Sequence, residues 1–192
     1  MALAQRVAKD EGKRIMLHWE PSMLEQIPEE YWPWLKKAGI QLVRNAIVHG
    51  IEAPEERARL GKPAVGTLRL QIRREGKQGW IFSVKDDGRG LYIHTIREKA
   101  LQKGIISDKE ADTYSSVQIL SLIFEPGFST VTPNLHAGMG VGLDMVRTIA
   151  RSLGGRLRVS TRKQGYCEIA LVLPATPRQS SEEKRHATAD RG

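Results

Sequence analysis

The chain has 192 residues, 40% of them hydrophobic and 27% charged, with a formal net charge of +8. This length holds one domain with a substantial core, and the balance of apolar and charged residues is that of a soluble globular protein. No run approaches the roughly 18 consecutive apolar residues of a membrane-spanning helix, and residues 1–13 lack the apolar stretch of a signal peptide. The basic residues are scattered and do not alternate with aromatics as a base-stacking platform requires, which argues against nucleic acid as the partner. The single cysteine, Cys167, can form no internal disulfide; it reads as a small buried residue, and a reducing cytoplasm fits.

In chain order, residues 2–9 are predicted helical with Leu3, Val7 and Ala8 inward, and 14–19 is a short strand. Residues 28–49 read as a long helical stretch, broken or bent near Pro33 and densely apolar in its second half, with Gly50 placed to end it. A short charged helix over 54–60 is closed by Gly61 and Pro63. Residues 67–74 alternate, with Leu68, Leu70 and Ile72 on one face, and pair with a strand over 80–85 as a hairpin. Helices follow over 93–103, stopped by Gly104, and over 115–123. Residues 124–138 show no periodicity and form a loop of a length that usually serves function. A helix over 141–153 ends at Gly154-Gly155, and 156–161 with 168–173 forms a last hairpin. Two hairpins with several helices give an α+β two-layer sandwich, a mixed and mostly antiparallel sheet covered by helices on one face. The domain is expected over 1–174. Residues 175–192 are polar and read as a disordered tail or linker.

Four clusters carry chemistry. Gln41, Asn45 and His49 are spaced i, i+4, i+8 and share one face of an apolar helix. They are either a solvent stripe or a row facing a phosphate, with the Asn45 carbonyl a hard oxygen ligand acceptable to Mg²⁺. Asp86-Asp87-Gly88-Arg89-Gly90 follows a strand. It is either an ordinary turn or a carboxylate aimed at an exocyclic amine, with glycines that admit a ligand. Gly138-Met139-Gly140-Val141-Gly142-Leu143-Asp144 runs into a helix. It is either a hinge or an anion site of backbone N–H groups, and it lacks the spacing of a dinucleotide fold or a P-loop. Phe124-Glu125-Pro126-Gly127-Phe128-Ser129-Thr130 offers two aromatic anchors, for the core or for a lid.

In this order and at these separations the clusters resemble the N, G1, F and G2 boxes of the GHKL ATPases. The wording Leu42-Val43-Arg44-Asn45-Ala46-Ile47, His49-Gly50-Ile51-Glu52, Pro54-Glu55-Glu56-Arg57, Gly61-Lys62-Pro63 and Leu122-Ile123-Phe124-Glu125-Pro126-Gly127-Phe128-Ser129-Thr130 is closer still to the CheA-type histidine kinases. The resemblance spans about residues 3–174. It implies a Bergerat-type fold that binds ATP and Mg²⁺, with Asn45 on the metal and His49 near the phosphates. It further implies that Asp86 reads adenine, Gly88 and Gly90 shape the pocket, and Lys99 reaches toward the phosphates. Gly138, Gly140 and Gly142, with Val141 and Leu143, would cradle the phosphates under a mobile lid from about Gly127 to Ala137, with Ser129 and Thr130 also at the nucleotide. Such domains pass the γ-phosphoryl group to a histidine on a phosphotransfer domain, in cis or in trans, for a response regulator, in a cytoplasmic parent that is a homodimer through another domain.

The sequence departs from that pattern in places. Gln41 stands where a histidine or glutamate is usual, Val48 for an aspartate, Met139 for an arginine and Ala137 for a serine. Gln164-Gly165-Tyr166-Cys167 stands for Gly-x-Gly-Thr. Glutamine hydrogen-bonds but does not titrate near neutral pH, so it cannot be a general base. An ATP-binding interaction module with weak or no transfer is therefore the alternative. A serine kinase of the anti-sigma-factor type shares the fold, but the lid wording argues against it. His18, His49, His94, His136 and His186 occupy no phosphoacceptor motif, so the chain reads as an excised domain or a stand-alone remnant acting with other parts.

Overall fold

The computed structural model describes residues 2–20, 23–76, 79–128 and 142–176. Among these residues five strands form one sheet: β1 (Ile15–Glu20), β2 (Gly66–Glu75), β3 (Gly79–Asp86), β4 (Arg156–Arg162) and β5 (Tyr166–Pro174), in the order β1-β2-β3-β5-β4. β1 pairs parallel with β2, and the other three pairings are antiparallel. This is the mixed, mostly antiparallel sheet expected from the two hairpins. The turn of the second hairpin places Gln164 at φ 54°, a conformation that non-glycine residues seldom adopt.

Among the described residues, seven α-helices accompany the strands: α1 (Ala2–Asp10), α2 (Trp32–Asn45), α3 (Pro54–Arg59), α4 (Ile93–Gln102), α5 (Asp108–Thr113), α6 (Ser116–Ser121) and α7 (Leu143–Ser152). α2 and α7 lie on one face of the sheet, and the main core forms there from Leu42, Ile47, Leu68, Phe82, Val146, Ile169 and Leu171. On the opposite face Ile81, Ala170 and Val172 make a small second cluster, flanked in register by Arg73, Arg156 and Arg158. The stems of those arginines shield the strip, while their heads pair with Glu168 and Glu75. Among the described residues, no helix is long and apolar enough to cross a membrane.

Several boundaries differ from the sequence reading. Pro33 does not bend a long helix. It sits in the first turn of α2, where its missing N–H costs no hydrogen bond, after a separate 3₁₀ turn over Glu29–Tyr31. α2 then widens into a π-helical turn, Ala46–Gly50, closed by the Ile51 amide donating to the Ala46 carbonyl at 2.8 Å. α5 was not expected. Its signal is a capping box, Ser107 with Glu110, of the same kind that starts α6 with Ser115 and Gln118.

Leu3 is not inward. It is 43% exposed, and Ala4 and Ala8 make the buried stripe of α1. Leu3 lines an open apolar groove of about 750 Å³ between α1, α2 and the sheet, shared with Trp19, Trp32, Ile40 and Phe82. α2 comes close to the sheet at Gly39, where a Cβ would meet the Phe82 ring at 3.1 Å.

Candidate nucleotide site

The C-terminal end of α2, the turn after β3 and the middle of β5 converge. Asn45 and Asp86 line one small cavity of about 10 Å³ with Leu42, Ala46, Val84, Cys167 and Ile169. That is room for about one water molecule at the floor of a site. The cavity is apolar except for one amide, one carboxylate and one thiol. The apolar groove beside α1 is far larger, but Lys36 is the one charged residue in its lining, and it offers no constellation for a base and phosphates. The small cavity holds the chemistry.

Asp86 is 5% exposed and lies at the end of β3, directly opposite Cys167 of β5. Burial pushes its carboxyl up from the ordinary 3.8 to about 7. The Gly88 amide, donating to Oδ1 at 2.9 Å, opposes that rise, Asp87 and Glu52 add to it, and Lys62 opposes it. The Cys167 thiol is pushed well up by burial and by Asp86, so it is a neutral wall rather than a nucleophile. Trp80 is buried at the other end of β3. It stands six positions before Asp86, which is roughly 20 Å along an extended strand.

The glycines of the turn are forced by contact. A Cβ on Gly88 would lie 2.1 Å from the Gly50 carbonyl oxygen, and one on Gly90, at φ 70°, would lie 2.2 Å from that of Arg162. The Arg89 amide donates to Gly50 at 3.0 Å, and the Arg89 carbonyl accepts from Gln164 at 2.7 Å. The turn is thus gripped between the end of the π turn and the last hairpin.

Gln41 and Asn45 are half-buried, and His49 is exposed on the π turn. Gln41 does not line the Asn45–Asp86 cavity. The imidazole rim is open to solvent, but desolvation by the protein around it, then Lys13 and Lys99, and more weakly Arg89, lower the His49 pKa, with Glu11 opposing, which favours the neutral ring in an electropositive field. Lys99 is itself lowered by burial and by Lys103, and its Nζ stands 5.0 Å from the centre of the Phe128 ring. Both aromatics of the fourth cluster are core anchors: Phe124 is 3% and Phe128 7% exposed. Gly142 caps α7 and Leu143 opens it. Ser129, Thr130, Ala137, Gly138, Met139, Gly140 and Val141 lie outside the described residues.

Sequence reasoning missed two supports. Lys13, after α1, donates through Nζ to the carbonyls of Ile47 and Val48 at 2.7 Å each, capping the π turn that carries His49. The second is a set of charged side chains around Glu52 and Arg57, described below. In both, a residue far along the chain satisfies buried backbone or charge, and local spacing cannot register such a pairing.

Asn45 has no hydrogen-bond partner for its amide among the described residues, and these hold no cluster of three or more acidic, histidine or cysteine side chains that could hold a metal. One amide oxygen without a protein partner is a hard ligand of the kind Mg²⁺ accepts, an ion that takes few protein ligands and keeps its waters and phosphates.

The family model described as histidine kinase-, DNA gyrase B-, and HSP90-like ATPase matches residues 34–177. The chemotaxis protein CheA of Bacillus subtilis is 44% identical over 138 residues, covering 71% of this chain and 20% of that protein. CheA of Treponema pallidum is 42% identical, covering 70% and 16%. The sensor histidine kinase CheAY of Helicobacter pylori is 40% identical, covering 71% and 17%. The chain therefore spans about a fifth of the length of these relatives. With the sheet order, the helical layer and the family match in agreement, the chain belongs to the histidine kinase-, DNA gyrase B- and HSP90-like ATPases, as an ATP-binding domain of the CheA-like kind.

Proposed function

We propose that this domain binds Mg–ATP over the Asn45–Asp86 cavity and presents the γ-phosphoryl group to a histidine on a separate domain or protein. The observation that carries the reading is the convergence of Asn45 and Asp86, from separate elements, on one cavity in a chain of an ATPase family. Asp86 accepts from the exocyclic amine of adenine. Asn45 would hold Mg²⁺, which when bound neutralises phosphate charge. Lys13, Lys99 and Arg89 set the positive field in which a polyphosphate is stable, and neutral His49 hydrogen-bonds to it. In transfer, the bond from the γ-phosphorus to the bridging oxygen breaks and one to an imidazole nitrogen forms. Such reactions rely on positioning more than on covalent work by the protein. The acceptor is a histidine phosphotransfer domain, the product passes to a response regulator, and the setting is the cytoplasm.

Titration calorimetry with ATP and ADP at millimolar Mg²⁺ tests binding. Saturable heat is the expected result, and none at all overturns the reading. Gln41 favours a second reading, a module that binds ATP and transfers slowly, because its amide cannot accept a proton from the attacking imidazole. Gln41→His, assayed with radiolabelled ATP and an added histidine phosphotransfer domain, is expected to raise the transfer rate by about 10²-fold, the lower end of general-base effects. An unchanged rate removes Gln41 as the cause of slow transfer.

A further inference from the structure

Four charged side chains, three of them outside the four clusters and the fourth Asp87, are packed behind the Asp86 turn. Glu52 is fully buried and Arg57 is 1% exposed. The Arg57 guanidinium donates to Glu52 Oε2 at 3.0 Å and to both carboxylate oxygens of Asp87, at 3.1 and 3.0 Å. Its Nε donates to the Pro63 carbonyl at 2.6 Å. Lys62 Nζ donates to Glu52 Oε1 at 2.8 Å and to the backbone carbonyls of Asp87 and Gly88, at 3.1 and 2.8 Å. Asp87 Oδ1 also accepts from the Thr67 amide at 2.9 Å. Two cations and two anions thus balance in a quartet built on buried Glu52 and Arg57, with Asp87 at its solvent edge, that ties the α3 segment to the turn.

Stability alone is a weak reason for such a set. Desolvating Glu52 and Arg57 costs several kcal/mol per ion, and well-packed apolar side chains of similar volume often do as well. What the quartet fixes, and an apolar plug would not, is the direction of two peptide groups. Lys62 holds the Asp87 and Gly88 carbonyls on the α3 side. The Gly88 amide is then left pointing at Asp86 Oδ1, at 2.9 Å. From the other side, the Gly50 carbonyl and the Gln164 amide hold Arg89. The turn has one rigid course, and Asp86 has one orientation.

We propose that Arg57 and Lys62 are positioning residues for purine recognition: anchored on buried Glu52, they lock the Asp86–Gly88 turn so that Asp86 meets the amine of adenine at a fixed place. The proposal rests on the reading of Asp86 as the adenine acceptor. Neither residue touches nucleotide. Both act through the backbone of Asp87 and Gly88. A carboxylate held rigid rewards an amine donor and repels a carbonyl oxygen at the same position. One on a loose turn swings aside and distinguishes the two poorly.

The experiment compares ADP with IDP, which has a carbonyl oxygen where adenine has its amine, by calorimetry with Mg²⁺ on the whole chain. Lys62→Met is the informative variant, because Arg57 still pairs with Glu52. Lys62→Gln, which keeps a donor, serves if the methionine variant does not fold. Circular dichroism melts separate folding from binding. The expected result is a loss of about tenfold in the ADP-over-IDP preference, carried by weaker ADP binding, with Lys62→Arg restoring it. A variant that melts earlier but keeps the preference has lost only a structural brace, and that outcome overturns the proposal. A native protein that binds ADP and IDP alike overturns it together with the Asp86 reading. A native preference that survives in Lys62→Met overturns the positioning role alone.

Discussion

Asp86→Asn is expected to make the unliganded domain more stable near pH 8 while weakening ADP binding about 100-fold. The two effects share one cause. The Asp86 carboxyl titrates at about 7 in the folded chain against an ordinary 3.8, chiefly because it is buried, so the fold holds its proton more tightly than the unfolded chain does. Folding therefore loses stability as pH rises from about 4 through about 7, and is flat with respect to this group on either side. The gap between 3.8 and about 7 corresponds to about 4 kcal/mol, an order of magnitude rather than a precise value. Asparagine keeps an oxygen for the Gly88 amide and has no charge to desolvate. The advantage of the variant, measured by urea unfolding, should thus be small near pH 4 and reach a few kcal/mol at about pH 8. Binding moves the other way. Losing a charge-assisted bond to the base amine costs about 2–3 kcal/mol, which is the 100-fold. Because adenine favours the ionised carboxylate, ADP affinity in the native protein should rise between about pH 6 and pH 8, with proton release visible as a buffer-dependent heat. The variant should show neither. Equal stability of the two proteins at both pH values would mean that Asp86 is not desolvated in the folded chain.

A destabilised group kept at the end of a central strand is what a binding site looks like in a fold otherwise consistent with its sequence. Most of that fold was legible. Alternating Leu68, Leu70 and Ile72 marked β2, the turn residues marked both hairpins, and the order and separation of the four clusters, with the wording around Asn45 and Phe124, carried the resemblance that names the family. The misreadings have separate physical causes. Pro33 was read as a break because proline ends helices, but proline in a first turn is favourable. Leu3 was placed inward by its apolarity, yet it faces the open groove beside α1, while Ala4 and Ala8 are buried and Val7 packs against the core. α5 is too short for hydrophobic periodicity to show, and only its capping box announces it. The Glu52–Arg57–Lys62–Asp87 quartet was visible as four charged residues and nothing more. Charge in a sequence reads as surface, and only the fold reveals that two of these four are buried.

Gly88→Ala is expected to cost several kcal/mol of stability and to abolish ADP binding, although alanine adds one methyl group. Two reasons for a glycine must be told apart. Gly104, at φ 63°, has nothing within 4 Å of a would-be Cβ. There alanine pays only the left-handed backbone penalty, about 1 kcal/mol, and ADP affinity should be untouched. Gly88 needs its bareness for contact. A Cβ there would stand 2.1 Å from the Gly50 carbonyl oxygen, 2.4 Å from its carbon and 2.8 Å from Asp86 Oδ1. The first two are backbone, so no rotamer change relieves them, and the Gly50 carbonyl already accepts the Arg89 amide at 3.0 Å. The methyl must push the end of the π turn away from the turn after β3, which separates Asn45 and His49 from Asp86. Overpacking of a tight core costs typically 1–3 kcal/mol, and more when backbone is the obstacle. Paired thermal melts and ADP titrations of Gly88→Ala and Gly104→Ala decide the matter. If the two variants lose similar stability and both still bind ADP, the apposition of Gly50 and Gly88 does not hold the site together, and the convergence of Asn45 with Asp86 must have another support.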